Sequence, residues 1–174
     1  MFDEVVTILE NKKVNSEYYK LVFSSKKLSQ KVSPGQFLNI QIENNQGLFL
    51  RRPFSYYRVY GQKIEILYEI LGRGTALLAE KRRGHSLKAL GPLGRPFTQK
   101  LNAKRRVLIG GGVGVPPLVF LAETLKKELV LPLFLIGCKS KREVLPKREL
   151  SKIQGEVRYA TNDGTYGKKI RSHN

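Results

Sequence analysis

Four consecutive residues, Arg52, Pro53, Phe54 and Ser55, place an arginine, an aromatic ring and a hydroxyl within one short segment. In an extended strand Arg52 and Phe54 lie on the same face, because side chains alternate between the two faces. A flat cofactor with a phosphate tail needs this pair, since the ring offers a stacking surface and the guanidinium binds phosphate. An ordinary strand with an exposed arginine is the alternative that the motif alone leaves open.

A second motif, Gly72-Arg73-Gly74-Thr75, precedes a run of good helix formers and predicts a helix that Gly84 ends. Thr75 is the expected N-cap. The N-terminus of a helix attracts anions, and glycine lets a phosphate approach the backbone closely. The motif therefore predicts a phosphate site, with a plain turn and cap as the alternative.

The third motif is the glycine run at 110–114, which follows a short apolar strand and opens a helix at Pro116-Pro117. This is the position of a dinucleotide-binding loop, although the run departs from the G-x-G-x-x-G pattern. Gly137-Cys138-Lys139-Ser140 also stands where a dehydrogenase carries an acidic residue. An ordinary Rossmann dehydrogenase is therefore disfavoured, and a phosphate-binding turn of another kind or a structural glycine turn remains open.

Other catalytic arrangements find little support in the sequence. The two histidines, His85 and His173, fall in a predicted strand and in the last two residues, so neither a metal cluster nor a triad is indicated. Cys138 is the single cysteine and is predicted to be a small buried side chain at a strand end. Alone it supports neither an internal disulfide nor an iron–sulfur cluster.

Two kinds of structure must position these motifs. Many short strands with turn signals up to about residue 100 are typical of a closed β-barrel. Beyond about residue 103, strand–helix–strand–helix–strand predicts a parallel sheet, in which Ser140 begins a helix to about Ile153. Strands are expected at 4–9, 18–23, 36–42, 52–58, 63–70, 85–90, 106–109, 129–137 and 157–160. The predicted fold class is a β-barrel followed by a partial α/β domain.

The formal net charge is +18, from 32 Lys and Arg against 14 Asp and Glu. The charge is even, with +9 on residues 1–103 and +9 on residues 104–174, so a lysine-rich solvated surface is favoured over a nucleic-acid footprint. A basic barrel that binds nucleic acid stays as an alternative. No apolar run approaches the roughly 20 residues of a membrane helix, and the N-terminus lacks the pattern of a signal peptide. A cytoplasmic protein is expected.

Six motifs, in this order and at these intervals, resemble the ferredoxin–NADP reductase superfamily and, within it, the electron-transfer subunits of bacterial dihydroorotate dehydrogenase. They are Pro34-Gly35-Gln36-Phe37, Arg51-Arg52-Pro53-Phe54-Ser55, Gly72-Arg73-Gly74-Thr75, Leu90-Gly91-Pro92-Leu93-Gly94, the segment 110–117 and Asn162-Asp163-Gly164-Thr165-Tyr166-Gly167. Together they span nearly the whole chain.

The resemblance implies a Greek-key, FAD-binding barrel over residues 1–100 and an incomplete nicotinamide-dinucleotide-binding domain over residues 104–174. FAD would contact Arg52, Pro53, Phe54, Ser55, Leu67, Tyr68, Glu69, Gly74 and Thr75. A nicotinamide nucleotide, with NAD as a candidate, would face Gly110, Gly111, Gly112, Gly114 and Pro117. Such proteins position a flavin and tune its potential, so no catalytic acid or base is expected.

The resemblance also implies a hetero-oligomer of pyrimidine biosynthesis with an FMN-containing dihydroorotate dehydrogenase catalytic subunit. Family members relay electrons through FAD and a [2Fe-2S] cluster, whose four cysteines lie beyond the position of Asn174. We therefore expect a C-terminally shortened chain that has no cluster, binds nicotinamide weakly and leaves the strand at 157–160 with an unpaired edge. A reductase subunit of a hydrogenase, oxygenase or other oxidoreductase, and a remnant that folds poorly, are the alternatives.

Overall fold

The computed structural model describes residues 1–42, 50–98, 104, 106–125 and 131–169, and these residues form two β-sheets. The first sheet contains β1 (Phe2–Lys13), β2 (Tyr18–Ser24), β3 (Phe37–Gln41), β4 (Arg52–Ser55), β5 (Arg58–Tyr60), β6 (Lys63–Glu69) and β7 (Ser86–Leu93), with α1 (Lys26–Ser29) and α2 (Arg73–Glu80) between its strands. The second sheet contains β8 (Val107–Gly111), β9 (Leu133–Cys138), β10 (Glu156–Thr161) and β11 (Lys168–Lys169), with α3 (Val115–Thr124) and α4 (Lys147–Leu150). None of the helices described is long and apolar enough to span a bilayer.

The first sheet is antiparallel and curls into a half-barrel. Its strand order is β4-β3-β7-β1-β2-β6-β5, so β4 and β6 lie far apart along the sheet. The rings of Phe54 on β4 and Tyr68 on β6 nevertheless meet edge to face, with centroids 5.9 Å apart. A bulge in β1 between Ile8 and Glu10 adds local twist and so favours the curl. The closed barrel expected from the sequence is therefore a curled half-barrel, with β4 and β5 at the edges of the described sheet.

Apolar side chains at every second position build the core of the half-barrel, because residues two apart in a strand share a face. Fully buried members of this core include Ile8, Leu21, Phe23, Leu38, Ile40, Ile64 and Ile66. The strand predicted at 52–58 is wrong, since the chain leaves β4 at Ser55 and enters β5 at Arg58, at the opposite edge of the sheet. Tyr56 and Tyr57, which connect the two strands, are completely buried.

The second sheet is parallel, as predicted, with the order β8-β9-β10-β11 in the described residues. β9 covers Leu133–Cys138, and positions 129 and 130 of the predicted strand lie outside the described residues. The expectation that β10 keeps an unpaired edge is wrong at its C-terminal end, because Ala160 and Thr161 pair with β11. β11 has only two residues, which is why periodicity did not reveal it.

The helix predicted from Ser140 to about Ile153 is also wrong. Ser140 does accept a hydrogen bond from the Arg142 N–H, but only a 3₁₀ turn, Lys141–Glu143, follows it. Pro146 interrupts the segment, because proline removes a backbone donor and holds the preceding residue out of the helical region. The separate helix α4 begins after it, at Lys147.

A second core joins the two sheets. Tyr18, Tyr57 and Leu67 from the outer face of the half-barrel are buried in the same cluster as side chains of α3 and β9. The members contributed by the second half are Val115, Val119, Ala122, Phe134, Ile136, Cys138, Leu145 and Leu150. The half-barrel and the parallel sheet therefore pack as one unit.

A buried ionic cluster reinforces this packing. The Arg58 guanidinium on β5 donates to Glu123 on α3, with Nε 2.7 Å from Oε1, and to both the carboxylate and the backbone oxygen of Glu149 on α4. Its Nη1 also lies 3.7 Å from Glu65. Burial alone lowers the pKa of Arg58, but Tyr57 and Glu123 outweigh it, so the guanidinium stays charged.

We predict that Arg58→Met lowers the free energy of unfolding by about 3–5 kcal/mol, because it leaves buried carboxylates without their cation. Urea unfolding followed by circular dichroism measures the change. Arg158→Met is the matched control, since Arg158 pairs with Glu156 on the exposed surface, where water solvates both groups. Equal losses in the two variants would contradict the importance of the buried cluster.

Candidate functional site

A cavity of about 230 Å³ opens between the half-barrel and the N-terminus of α3. It is lined by Arg52, Pro53, Phe54, Ser55, Leu67, Tyr68, Glu69, Leu71, Thr75, Val113 and Pro116. Eight of the nine residues that the sequence predicted as FAD contacts therefore meet here, and the ninth, Gly74, lies directly beneath Arg52. Leu71, Val113 and Pro116 were not among the predicted FAD contacts, although Val113 and Pro116 belong to the 110–117 motif that was expected to face a nicotinamide nucleotide.

Two aromatic rings form the inner wall of this cavity. Phe54 and Tyr68 are both more than nine-tenths buried, and Tyr68 also contacts the ring of Tyr19. The Tyr68 hydroxyl donates to Asn11 Oδ1 at 3.0 Å, while the Asn11 amide donates to the carbonyls of Leu78 and Lys81 at the end of α2. Burial raises the pKa of Tyr68, so its hydroxyl stays protonated. Asn11, which the sequence analysis missed, thus fixes both the ring and the helix.

The outer end of the cavity carries positive potential. The side chain of Arg52 crosses the first turn of α2 so closely that a Cβ atom on Gly74 would overlap its guanidinium. The first turn of α2 contains no acidic residue, so the helix dipole adds to the charge of Arg52. An anion placed here would meet a guanidinium and a helix N-terminus together.

Thr75 does not serve as the N-cap that the sequence predicted. α2 begins at Arg73, and Thr75 is its third residue. Its hydroxyl reaches back and accepts hydrogen bonds from the N–H groups of Leu71, at 2.9 Å, and Gly72, at 3.2 Å. Because the hydroxyl satisfies donors that precede the helix, the helix starts three residues earlier than expected, with Gly72 instead of Thr75 at the N-cap position.

A second crevice, of about 450 Å³, lies at the carboxyl ends of β8, β9 and β10. It is lined by Glu69, Gly111, Gly112, Val113, Gly137, Cys138, Lys139, Glu143 and Asn162. Ligands of open α/β sheets bind at this end of the strands. Glu69 and Val113 line both spaces, so the crevice and the cavity are adjacent.

The glycines of the run at 110–114 have different surroundings. Gly111 and Gly112 line the crevice, and Gly112 has a φ of 51°, which favours glycine. Gly110 instead faces α3, because a Cβ atom there would lie 2.8 Å from Leu118 Cδ1. Gly114 ends a 3₁₀ turn, Gly112–Gly114, which precedes α3, and Pro117 belongs to the first turn of α3.

Cys138 is buried at the end of β9, as predicted. Burial, with a contribution from Glu143, raises the pKa of its thiol to about 11, so the thiol is neutral near pH 7. Burial also raises the pKa of Tyr18, helped by Glu69. Within the described residues, no group of three or more His, Cys, Asp or Glu side chains is placed to hold a metal ion.

No protein-family model matches the chain. The dihydroorotate dehydrogenase B (NAD(+)) electron transfer subunit of Geobacillus sp. (strain WCH70) is 35% identical over 173 residues, which cover 97% of this chain and 67% of that protein. The chain belongs to the family of dihydroorotate dehydrogenase B electron transfer subunits. This membership confirms the resemblance seen in the sequence motifs.

The chain spans about two thirds of the length of the electron transfer subunits that it matches. Among solved structures, an NADH-dependent reduced ferredoxin–NADP oxidoreductase superposes with a TM-score of 0.82 at 23% identity, covering 95% of this chain and 59% of that one. A flavohemoglobin from Malassezia yamatoensis with bound FAD and heme superposes with a TM-score of 0.80 at 20% identity, over 98% of this chain and 49% of that one. These structures share the fold of this family member.

Proposed function

We propose that the chain binds FAD and carries electrons between NAD and an FMN-containing dihydroorotate dehydrogenase catalytic subunit, as part of a hetero-oligomer. The observation that carries this proposal is the convergence of Arg52, the Phe54–Tyr68 wall and the N-terminus of α2 on one cavity. The proposal includes a Greek-key barrel over residues 1–100 and a nicotinamide-dinucleotide-binding domain over residues 104–174.

The residues present fit FAD. The edge-to-face rings of Phe54 and Tyr68 form an apolar wall against which the ring system would pack, and the backbone of Leu67 and Glu69 would lie along its edge. Arg52 and the α2 N-terminus at Gly74 would hold the pyrophosphate. The cavity has a volume of about 230 Å³, so the pyrophosphate would extend out of it toward this end. Bound FAD supplies hydride and one-electron chemistry, while the chain binds it, orients it and excludes water.

NAD would occupy the crevice at the ends of β8, β9 and β10. Because Glu69 and Val113 belong to both spaces, a nicotinamide there would lie beside the ring bound in the cavity. In the described sheet, β8 is the edge strand, so the sheet borders the crevice on one side only. We therefore expect NADH to bind weakly to the 174-residue chain.

Anaerobic reduction of the bound flavin tests the electron-transfer proposal. The FAD-loaded chain is mixed with dihydroorotate and a catalytic subunit from the same source, and the visible flavin bands are followed. Reduction should require both additions and should be slow, because a chain with a single cysteine lacks the thiolates of the [2Fe-2S] relay, and NADH alone should also reduce the flavin slowly. If the flavin is reduced by another donor system but never by dihydroorotate with its catalytic subunit, the alternative of a reductase subunit for another oxidoreductase is favoured.

We predict that Arg52→Ala weakens FAD binding by about 1.5–3 kcal/mol, on the order of 10- to 150-fold, because a charged hydrogen bond to phosphate is lost. Equilibrium titration of the FAD-free protein measures the affinity. Arg51→Ala is the control, since Arg51 donates to Asp3 outside the cavity. A wild-type chain that stays colourless and takes up no added FAD would overturn the proposal.

We also predict that Gly74→Ala weakens FAD binding without destabilising the fold. The new methyl group displaces the Arg52 side chain from α2, while alanine favours the helix by about 1 kcal/mol over glycine. Gly72→Ala serves as the control, because a Cβ atom at Gly72 meets no atom within 4 Å. FAD titration and thermal unfolding of both variants measure affinity and stability separately. Equal FAD affinities in the two variants would contradict the prediction.

A further inference from the structure

A third cavity, of about 430 Å³, lies between the outer face of the half-barrel and α4. It is lined by Lys12, Lys13, Lys20, Arg58, Tyr60, Glu65, Arg148, Glu149 and Lys152, and we call it the basic cleft. None of these residues lines the cavity proposed for FAD or the crevice proposed for NAD.

The floor of the basic cleft is electrically balanced. Lys20 Nζ lies 2.8 Å from Glu149 Oε1, and Arg58 contacts the same carboxylate from the other side. Burial alone raises the pKa of Glu149, but Lys20 and Arg58 outweigh it and hold that pKa below its usual value. Glu65 lies 3.7 Å from Arg58. Glu149 is therefore engaged by the two floor cations and lies 4.0 Å from Arg148 Nε, whereas the buried Glu65 Oε2 accepts no hydrogen bond from the described residues.

The rim of the basic cleft carries an excess of positive charge. Lys13 extends from the end of β1, Arg148 from α4 and Lys152 from the turn after α4, and all three side chains are exposed. Lys12, paired with Glu10, stands directly opposite Lys20 in the β1–β2 ladder. Both of these lysines have a carboxylate partner, so the excess positive charge of the rim comes from Lys13, Arg148 and Lys152.

An aromatic wall helps to position one rim cation. Lys152 Nζ lies 4.1 Å from the centroid of the Tyr60 ring, and the Tyr60 hydroxyl donates to Glu123 at 2.7 Å. A cation held over an aromatic face retains its charge for a second partner on its open side. The Arg58 cluster that joins the sheets thus also anchors one wall of the basic cleft.

We propose that the basic cleft is a binding site for a small polyanion that carries two or more linked phosphate groups. Its volume falls within the roughly 300–1,000 Å³ of small-molecule sites, and its cations converge from the half-barrel and from the α4 side. A chain of phosphates presents several anionic groups to Lys13, Arg148 and Lys152, whereas a single small anion presents only one. Because the cleft is concave and its one aromatic ring is covered by Lys152, it suits a compact ligand better than a nucleic-acid strand.

Inorganic tripolyphosphate, titrated calorimetrically into the FAD-saturated chain at about 0.15 M ionic strength, tests the proposal under conditions that screen diffuse surface attraction. One saturable site is expected. The double variant Lys13→Gln with Lys152→Gln should lose affinity about tenfold or more, because two charged contacts disappear. The Arg52→Ala variant should keep the wild-type affinity, since the basic cleft does not contain Arg52.

The matched control is Lys26→Gln with Lys27→Gln, which removes the same charge from exposed positions of α1 outside the cleft. This variant should bind tripolyphosphate as the wild type does. Equal losses in the two double variants, titration without saturation, or a loss confined to Arg52→Ala would overturn the proposal. Circular dichroism of each variant excludes unfolding as the source of a loss.

Discussion

The rest of the structure depends on the ionic contacts that the buried guanidinium of Arg58 makes with Glu123 and Glu149. The guanidinium lies at the half-barrel edge that faces α3 and α4, and it binds a carboxylate from each of these helices. Taking an arginine and its partners out of water is costly, so the cluster is stable only when all its members are present. The cluster therefore favours one relative placement of the two sheets over neighbouring ones.

This placement creates the candidate sites. The cavity takes its aromatic wall from β4 and β6 but closes with Val113 and Pro116 at the start of α3, which belong to the other half of the molecule. The crevice combines strand ends of the parallel sheet with Glu69 of the half-barrel. A rotation between the halves would open both spaces at once. Packing at the shared core and the Arg58 cluster thus set the geometry in which a flavin and a nicotinamide would meet.

Sequence patterns predicted those features that depend on neighbouring residues. Alternation identified most strands, and glycines at helix starts located the N-terminus of α2 and the loop that lines the crevice. The break between β4 and β5 was missed, because every residue from 52 to 58 is compatible with one continuous strand. The partners of Arg58 were missed for another reason, since Glu123 and Glu149 lie 65 and 91 positions away and no local pattern connects them. Asn11 was missed for the same reason, because its partners Tyr68 and Leu78 lie 57 and 67 positions away.

The most direct test of this account is the FAD affinity of Arg58→Met, measured at a temperature where circular dichroism shows the variant to be folded. Arg58 lies outside the proposed FAD cavity, so the substitution removes no predicted contact with the cofactor. If the cluster aligns the two walls of the cavity, FAD should bind about tenfold more weakly or worse, a loss of about 1.4 kcal/mol or more. Wild-type FAD affinity in the folded variant would contradict the account.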